Sequence, residues 1–222
     1  MTLTHPSPNF GDRRGGQRTE LVVLHYTAMQ SCAEALTRLR DCTAEVSAHY
    51  LIDLDGSVLS LVAEADRAWH AGAGVWGGRG DVNSRSVGIE LANPGDRPFA
   101  APQMVALTAL LRGILDRHAL PPQAVIGHSD MAPGRKADPG PRFDWRRLAL
   151  DELSVWPEPS EPGDFGADLH QFGYPDLPPA ILLAAFRLRF RPWARGPLDD
   201  TDRSLAADLA NRFPVDGRAV HA

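Results

Sequence analysis

Between residues 127 and 140 the chain reads Gly127-His128-Ser129-Asp130-Met131-Ala132-Pro133-Gly134-Arg135-Lys136-Ala137-Asp138-Pro139-Gly140. An imidazole, an ammonium and a carboxylate fall close together in a stretch rich in turn formers, where packing has little use for them. A second imidazole, His25, follows the apolar run Leu21-Val22-Val23-Leu24. Such a run reads as a buried strand and delivers its last side chain to a sheet edge. Two histidines and one aspartate form a set of nitrogen and oxygen donors. Closed structural zinc sites use about four protein ligands and are usually rich in cysteine, whereas catalytic sites use about three and leave a place for water. His25, His128 and Asp138 are therefore the candidate metal ligands. Each has an ordinary use when taken alone: a strand-end histidine as a satisfied polar group, an aspartate before proline as a turn former. The constellation carries the reading.

The elements that must position these groups alternate along the chain. After the strand at 21–25, Ser31 is an N-cap with Glu34 three residues later, opening a helix to about Arg40. Residues 48–53 read as a second strand, Asp55-Gly56 as a hairpin turn and 58–62 as the returning strand. Residues 86–91 form a further buried strand. Residues 103–118 carry Met104, Leu107, Leu111 and Leu115 at helical spacing, and 124–127 lead as a strand into His128. The pattern predicts an α/β fold, a mixed central sheet flanked by helices.

A chain of 222 residues with 43% hydrophobic and 23% charged residues can bury a full core, which argues against extensive disorder. A net charge of -5 and the lack of a basic stripe interleaved with aromatics exclude a nucleic-acid partner. The arginines between Arg187 and Arg195 alternate with Leu188 and Phe190 and read as a solvated helix face. No segment reaches the roughly 18 continuous apolar residues of a membrane span. The first ten residues lack the apolar core of a secretory signal and the cysteine of a lipid anchor, so the expectation is a cytoplasmic protein, export not excluded. Cys32 and Cys42 flank a helical segment that separates them by roughly 15 Å at about 1.5 Å per residue. A disulfide needs Cα atoms within about 7 Å, so both read as free thiols.

These residues resemble a family, the zinc-dependent N-acetylmuramoyl-L-alanine amidases of the type 2 class, related to peptidoglycan recognition proteins. The resemblance covers about residues 7 to 150 and rests on Leu24-His25-Tyr26-Thr27, Ser47-Ala48-His49-Tyr50-Leu51-Ile52, Ala68-Trp69-His70-Ala71-Gly72, Val87-Gly88-Ile89-Glu90-Leu91-Ala92-Asn93 and the loop from Gly127 to Pro139. It implies that His25, His128 and Asp138 bind Zn2+, that Glu90 is the general base and proton donor, and that Lys136 stabilises an oxyanion. It implies further that the scissile bond joins the lactyl carbonyl of N-acetylmuramic acid to the amino group of L-alanine, in intact peptidoglycan or in soluble anhydromuropeptides. Without the resemblance, Glu90 between Ile89 and Leu91 reads as solvent-facing and Lys136 as a surface cation. His70, Tyr50, Asn93 and Arg85 are candidate substrate contacts. Trp69 reads as core, and a turn role for Asn93 before Pro94 is equally open. His5, His118, His170 and His221 are left as surface residues.

Around 154–163 the text turns to Trp156-Pro157-Glu158-Pro159-Ser160-Glu161-Pro162-Gly163, which reads as a proline-rich linker. Three helices are expected beyond it, at 166–172, 178–190 and 199–213. The division is a catalytic domain at 1–153, the linker at 154–163 and a small three-helix domain at 164–222. The last resembles the peptidoglycan-binding module found beside some type 2 amidases, most clearly at Ala185-Phe186-Arg187-Leu188-Arg189-Phe190; the alternative is a helical extension that only packs on the catalytic domain. A monomer is the favoured state. Two other functions stay in play. One is a non-catalytic recognition protein on the same fold; the other is a hydrolase with Cys32 or Cys42 as nucleophile, which would be independent of metal.

Overall fold

A computed structural model describes residues 4–215. In chain order the strands are β1 (Phe10–Gly11), β2 (Leu21–Tyr26), β3 (Tyr50–Ile52), β4 (Val58–Ser60), β5 (Arg67–Ala68), β6 (Ser86–Leu91) and β7 (Val125–Gly127). The α-helices are α1 (Cys32–Arg40), α2 (Val82–Arg85), α3 (Ala101–His118), α4 (His128–Met131), α5 (Trp145–Leu150), α6 (Phe165–Phe172), α7 (Pro179–Phe190) and α8 (Asp200–Arg212). Five strands make a mixed sheet in the order β4-β3-β6-β2-β7; only β4 runs antiparallel to its neighbour. β1 and β5 pair separately.

β2 is a continuous apolar run because it lies between β6 and β7 and is covered on both faces. Side chains alternate across the sheet, so the parallel register sorts residues by face. Val22, Leu24, Val87, Ile89, Leu91, Tyr50 and Ile52 share a core with α3 and α5. On the other face, Leu21, Val23 and Ile126 share a core with Met131 of α4 and with α6, α7 and α8. His25 lies opposite Glu90 in the register, Val23 opposite Gly88 and Leu21 opposite Ser86. These six residues therefore point to the second face. α1 covers the far part of that face, packing Ala35 and Leu39 against Leu51 of β3. Between α1 and the C-terminal helices a stretch of β2 and β6 is left for the site.

Local signals behave as their chemistry dictates. Ser31 accepts from the Glu34 amide at 3.2 Å and caps α1. The hairpin turn closes through Asp53 N–H to Ser57 O at 2.9 Å. Cys32 is buried and Cys42 exposed, both as free thiols. Among the described residues no helix is long and apolar enough to cross a membrane.

The C-terminal third departs from expectation. Its three helices form, but they are not set off behind a free linker. Phe165, Leu169, Phe172, Leu182, Phe186, Phe190 and Leu209 belong to the same apolar cluster as Val23 and Ile126 of the sheet. Residues 154–163 are tied down as well: the Glu158 amide donates to Asp208 at 2.9 Å and the Ser160 amide to Ser204 Oγ at 2.7 Å.

Nor are the arginines of α7 a solvated face. Arg189 is 2% exposed and donates to Asp130 at 2.6 Å, to Val125 O and Ser154 Oγ at 3.2 Å, and lies over the Trp145 ring. Arg187 is held by Asp202 and by the carbonyls of Gly196 and Pro197. α7 is apolar nearly all round and sits between neighbouring layers, so its charges are buried and must be paired. His118 is also partnered, to Glu64 at 2.6 Å. His221 lies outside the described residues.

Candidate metal centre and cleft

The parallel strands end their carboxyl edges together, and three of those ends build the site. His25 is the fifth residue of β2, and Glu90 stands beside it on β6. β7 ends at Gly127, so that His128 opens α4 directly. The loop that follows returns because the Ser129 amide donates to Asp138 O at 2.9 Å, bringing the loop carboxylate back to the histidine that started it. Asp130 fixes this turn from below, accepting from the Gly127 amide at 2.7 Å and from the Tyr174 hydroxyl at 2.5 Å.

The result is a convergence of three donors. His25 Nδ1 is 3.0 Å from His128 Nδ1 and 2.9 Å from Asp138 Oδ2; His128 Nδ1 is 3.0 Å from the same oxygen. All three residues are buried, and among the described residues they form the group whose ligand atoms lie within 4.8 Å of one another. The chemistry of this set fits a divalent metal. Burial, reinforced by the neighbouring His128, holds the His25 imidazolium down at about 4, so the ring is neutral near pH 7. Burial disfavours the Asp138 carboxylate, but the His128 and His25 rings beside it outweigh that and hold its pKa well below the usual carboxylate range. His128 Nε2 is 2.9 Å from Ala71 O, which can only accept, so the proton sits on Nε2 and Nδ1 offers a lone pair. Imidazole nitrogens and a carboxylate around one point suit a borderline cation such as zinc.

The three donors line a cleft of about 410 Å³, together with Tyr26, Met29, Arg38, Trp69, His70, Glu90, Arg135 and Lys136. A larger groove of about 1530 Å³ between α5, residues 154–159 and α7 contains none of the candidate ligands or Glu90 and Lys136, so the chemistry lies in the smaller one. Glu90 is partly exposed to the cleft, and among the described residues its Oε2 has no hydrogen-bond partner. Burial, with a smaller push from Asp138, raises its carboxyl to about 8 against the opposing pull of Lys136. Lys136 is exposed on the loop and faces the same cleft.

The four substrate candidates separate. His70 lines the cleft but is engaged by protein, with Nδ1 3.0 Å from His25 Nε2 and Nε2 3.2 Å from Ser86 Oγ. Tyr50 is 2% exposed, stands beside Ile89 in the register and so faces α3, with its hydroxyl donating to Glu64 at 2.5 Å. Period-two alternation places it on the face opposite Glu90. Asn93 staples a turn, accepting from the Gly95 amide at 2.7 Å and donating to the carbonyls of Arg97 and Pro98. Arg85 is 4% exposed and holds Glu20 and the carbonyls of Trp76 and Arg79. The site thus takes in His70 and leaves Tyr50, Asn93 and Arg85 in structural positions.

Trp69, which the sequence reads as core, lines the cleft, as do Arg38 and Arg135, which no motif singled out. Arg135 adjoins Lys136, and only the folded loop shows that its guanidinium reaches back to Ala71 O at 2.8 Å. The thiols take no part: burial beside Asp53 pushes Cys32 up to about 12, and neither cysteine lines the cleft.

Comparison with known proteins gives this cleft a family. The family model for N-acetylmuramoyl-L-alanine amidase matches residues 15–141. The N-acetylmuramoyl-L-alanine amidase AmiD of Escherichia coli is 33% identical over 237 aligned positions, covering 90% of this chain and 85% of its own. Its structure, a complex with anhydro-N-acetylmuramic acid-L-Ala-D-γ-Glu-L-Lys, superposes with a TM-score of 0.80 over 92% of this chain and 98% of that one, at 30% identity. AmpDh3 of Pseudomonas aeruginosa, in complex with an anhydromuramic pentapeptide, gives a TM-score of 0.79 at 32% identity over 90% of this chain and 94% of that one. The 1,6-anhydro-N-acetylmuramyl-L-alanine amidase AmpD of Salmonella typhimurium is 40% identical over 167 positions, 67% of this chain and 89% of its own. The matched span carries every residue of the three-donor centre, and the chain belongs to the N-acetylmuramoyl-L-alanine amidase family of type 2 amidases.

Proposed function

We propose that the protein hydrolyses the amide between the lactyl group of N-acetylmuramic acid and the L-alanine of a stem peptide, using Zn2+ held by His25, His128 and Asp138. The observation that carries this reading is the convergence of the three donors at 2.9–3.0 Å in a cleft that Glu90 and Lys136 also line. A resonance-stabilised amide needs a strong nucleophile and a polarised carbonyl. When bound, zinc supplies both, as a Lewis acid that also acidifies water.

The chain's own groups do the rest. Glu90 takes the proton of the attacking water and delivers it to the amine of L-alanine as it leaves. Burial raises the proton affinity of this carboxyl, which suits a group that must both take a proton and return it. Lys136, an exposed cation at the cleft edge, stabilises the oxyanion that develops on the lactyl carbonyl. Two relatives in complex with anhydromuramic peptides support this substrate class, and either such soluble fragments or intact peptidoglycan would present the same bond. A glycan-holding role for the C-terminal helices belongs to the same proposal.

Mass spectrometry of products tests the reading, with zinc-loaded protein incubated with intact peptidoglycan and, separately, with soluble anhydromuropeptides, each with and without chelator. Free peptides beginning in L-alanine, abolished by the chelator, are expected, and the better substrate distinguishes fragment processing from wall cleavage. No cleavage of either by metal-loaded protein would replace the amidase reading with that of a recognition protein.

A further inference from the structure

We propose that residues 69–73 form the orienting shell of the metal centre and that His70 is a positioning residue which sets the tautomer of His25. The inference rests on the metal-centre reading above. Both histidine ligands turn Nδ1 toward the centre, and the remote nitrogen of each meets this one short segment: His128 Nε2 at Ala71 O, His25 Nε2 at His70 Nδ1.

A cation at the centre takes the Nδ1 side of His25, and the second contact offers a run of acceptors for the proton on its other nitrogen. Val82 O can only accept, so the Ser86 hydroxyl donates its single proton there, at 2.6 Å. Ser86 Oγ is then an acceptor for His70, which places the His70 proton on Nε2. His70 Nδ1 is left with a lone pair and accepts from His25 Nε2–H. In this arrangement the relay outcompetes Asp138 for the His25 proton, and His25 Nδ1 presents its lone pair beside Asp138 and His128. The opposite tautomer would put N–H where the ring must offer a lone pair to a metal. A carbonyl does this service for His128; for His25 it is a relay of imidazole, hydroxyl and carbonyl.

The relay is built into the sheet. His70 lies on Gly88 of β6, where a Cβ would come within 2.4 Å of the ring. Only glycine lets an imidazole rest against the strand at that height. The segment itself is clamped by Asn83, whose Oδ1 accepts from the His70 amide at 3.0 Å and the Ala71 amide at 2.8 Å. His70 is thus fixed through both its backbone and its ring, which distinguishes it from a side chain waiting for substrate.

Zinc affinity of the full chain, measured by competition with a chromophoric chelator and with no substrate present, tests the proposal. His70→Ala is expected to weaken zinc binding about 10–100-fold, the usual loss when the partner of a ligating imidazole is removed. His70→Asn, which can keep an acceptor near His25 Nε2, is expected to recover part of that loss, and Ser86→Ala to weaken binding in the same direction. Because a variant could fail to fold, the unaltered protein carries a second readout. 15N spectra of its histidines, loaded and chelator-stripped near pH 7, are expected to show His25 and His70 both protonated at Nε2. A His25 proton on Nδ1 in the stripped protein would overturn the proposal. So would a folded His70→Ala protein with unchanged zinc affinity and a raised KM, which is the signature of a substrate contact. Failure of the amidase reading would show instead as undiminished zinc binding without peptide release.

Discussion

Glu90 shows how much a single residue's setting decides. On sequence alone a glutamate between Ile89 and Leu91 belongs outside, yet the parallel register puts it next to His25, inside a cleft whose burial raises its proton affinity. Replacing it separates its role from metal binding. Glu90→Ala is expected to keep stoichiometric zinc and lose turnover by about 10²–10⁴-fold, the span usual for a positioned acid-base group. Zinc content by elemental analysis and kcat on an anhydromuropeptide check this together; a fully active variant would remove the base assignment. Tyr50 makes the complementary point, since its motif membership marked it for the cleft while its parity turned it to α3.

At the scale of elements, the loop after β4 is as informative as the catalytic one. Glu64 receives hydrogen bonds from Tyr50 of β3 and from Arg117 and His118 at the end of α3, and so ties the sheet to the long helix behind it. Burial alone would raise its pKa, but the three donors together hold it at about 2 rather than the ordinary 4.5. A depressed folded-state pKa stabilises above the unfolded value and loses that contribution as pH falls. Glu64 should therefore contribute fully above about pH 4.5 and fade by about pH 2. The contribution is about 1–2 kcal/mol, limited by the group's partial contact with water. Urea unfolding of Glu64→Gln and the parent at a series of pH values should show a stability difference that shrinks through this window. A difference independent of pH would mean that the carboxylate charge is not what ties the elements.

Across the whole molecule, one buried network couples the C-terminal helices to the catalytic loop. Asp130, two residues beyond His128 of the three-donor centre, is fully buried and held by Arg189 of α7 and by Tyr174 after α6. Removing one partner of such a pair leaves a buried charge and costs about 3–5 kcal/mol. Arg189→Leu is accordingly expected to lower the stability of the catalytic sheet by that amount, in one cooperative transition shared by both parts of the chain. Circular dichroism and tryptophan fluorescence in urea read it out; two separate transitions, with the sheet unaffected, would restore the picture of tethered domains. The coupling also gives the helices a reason to accompany the cleft, since they hold the turn that aims His128.

What the sequence by itself determined is local or chemical. The donor types of His25, His128 and Asp138, the strand runs at 21–26 and 86–91, the cap at Ser31 and the three C-terminal helices are all legible there, because each depends on residues close in the chain or on a side chain's intrinsic chemistry. The tertiary structure decided what depends on faces and partners. It turned Tyr50 away from the cleft, made staples of Asn93 and Arg85, drew His70 toward a metal ligand, buried the arginines of α7 and merged the expected second domain into the sheet's core. Spacing left the turn role of Asn93 and the packed extension open as alternatives and was silent on the rest, since strand register selects the face a side chain points to, and a buried charge reveals its partner only when distant segments are packed together.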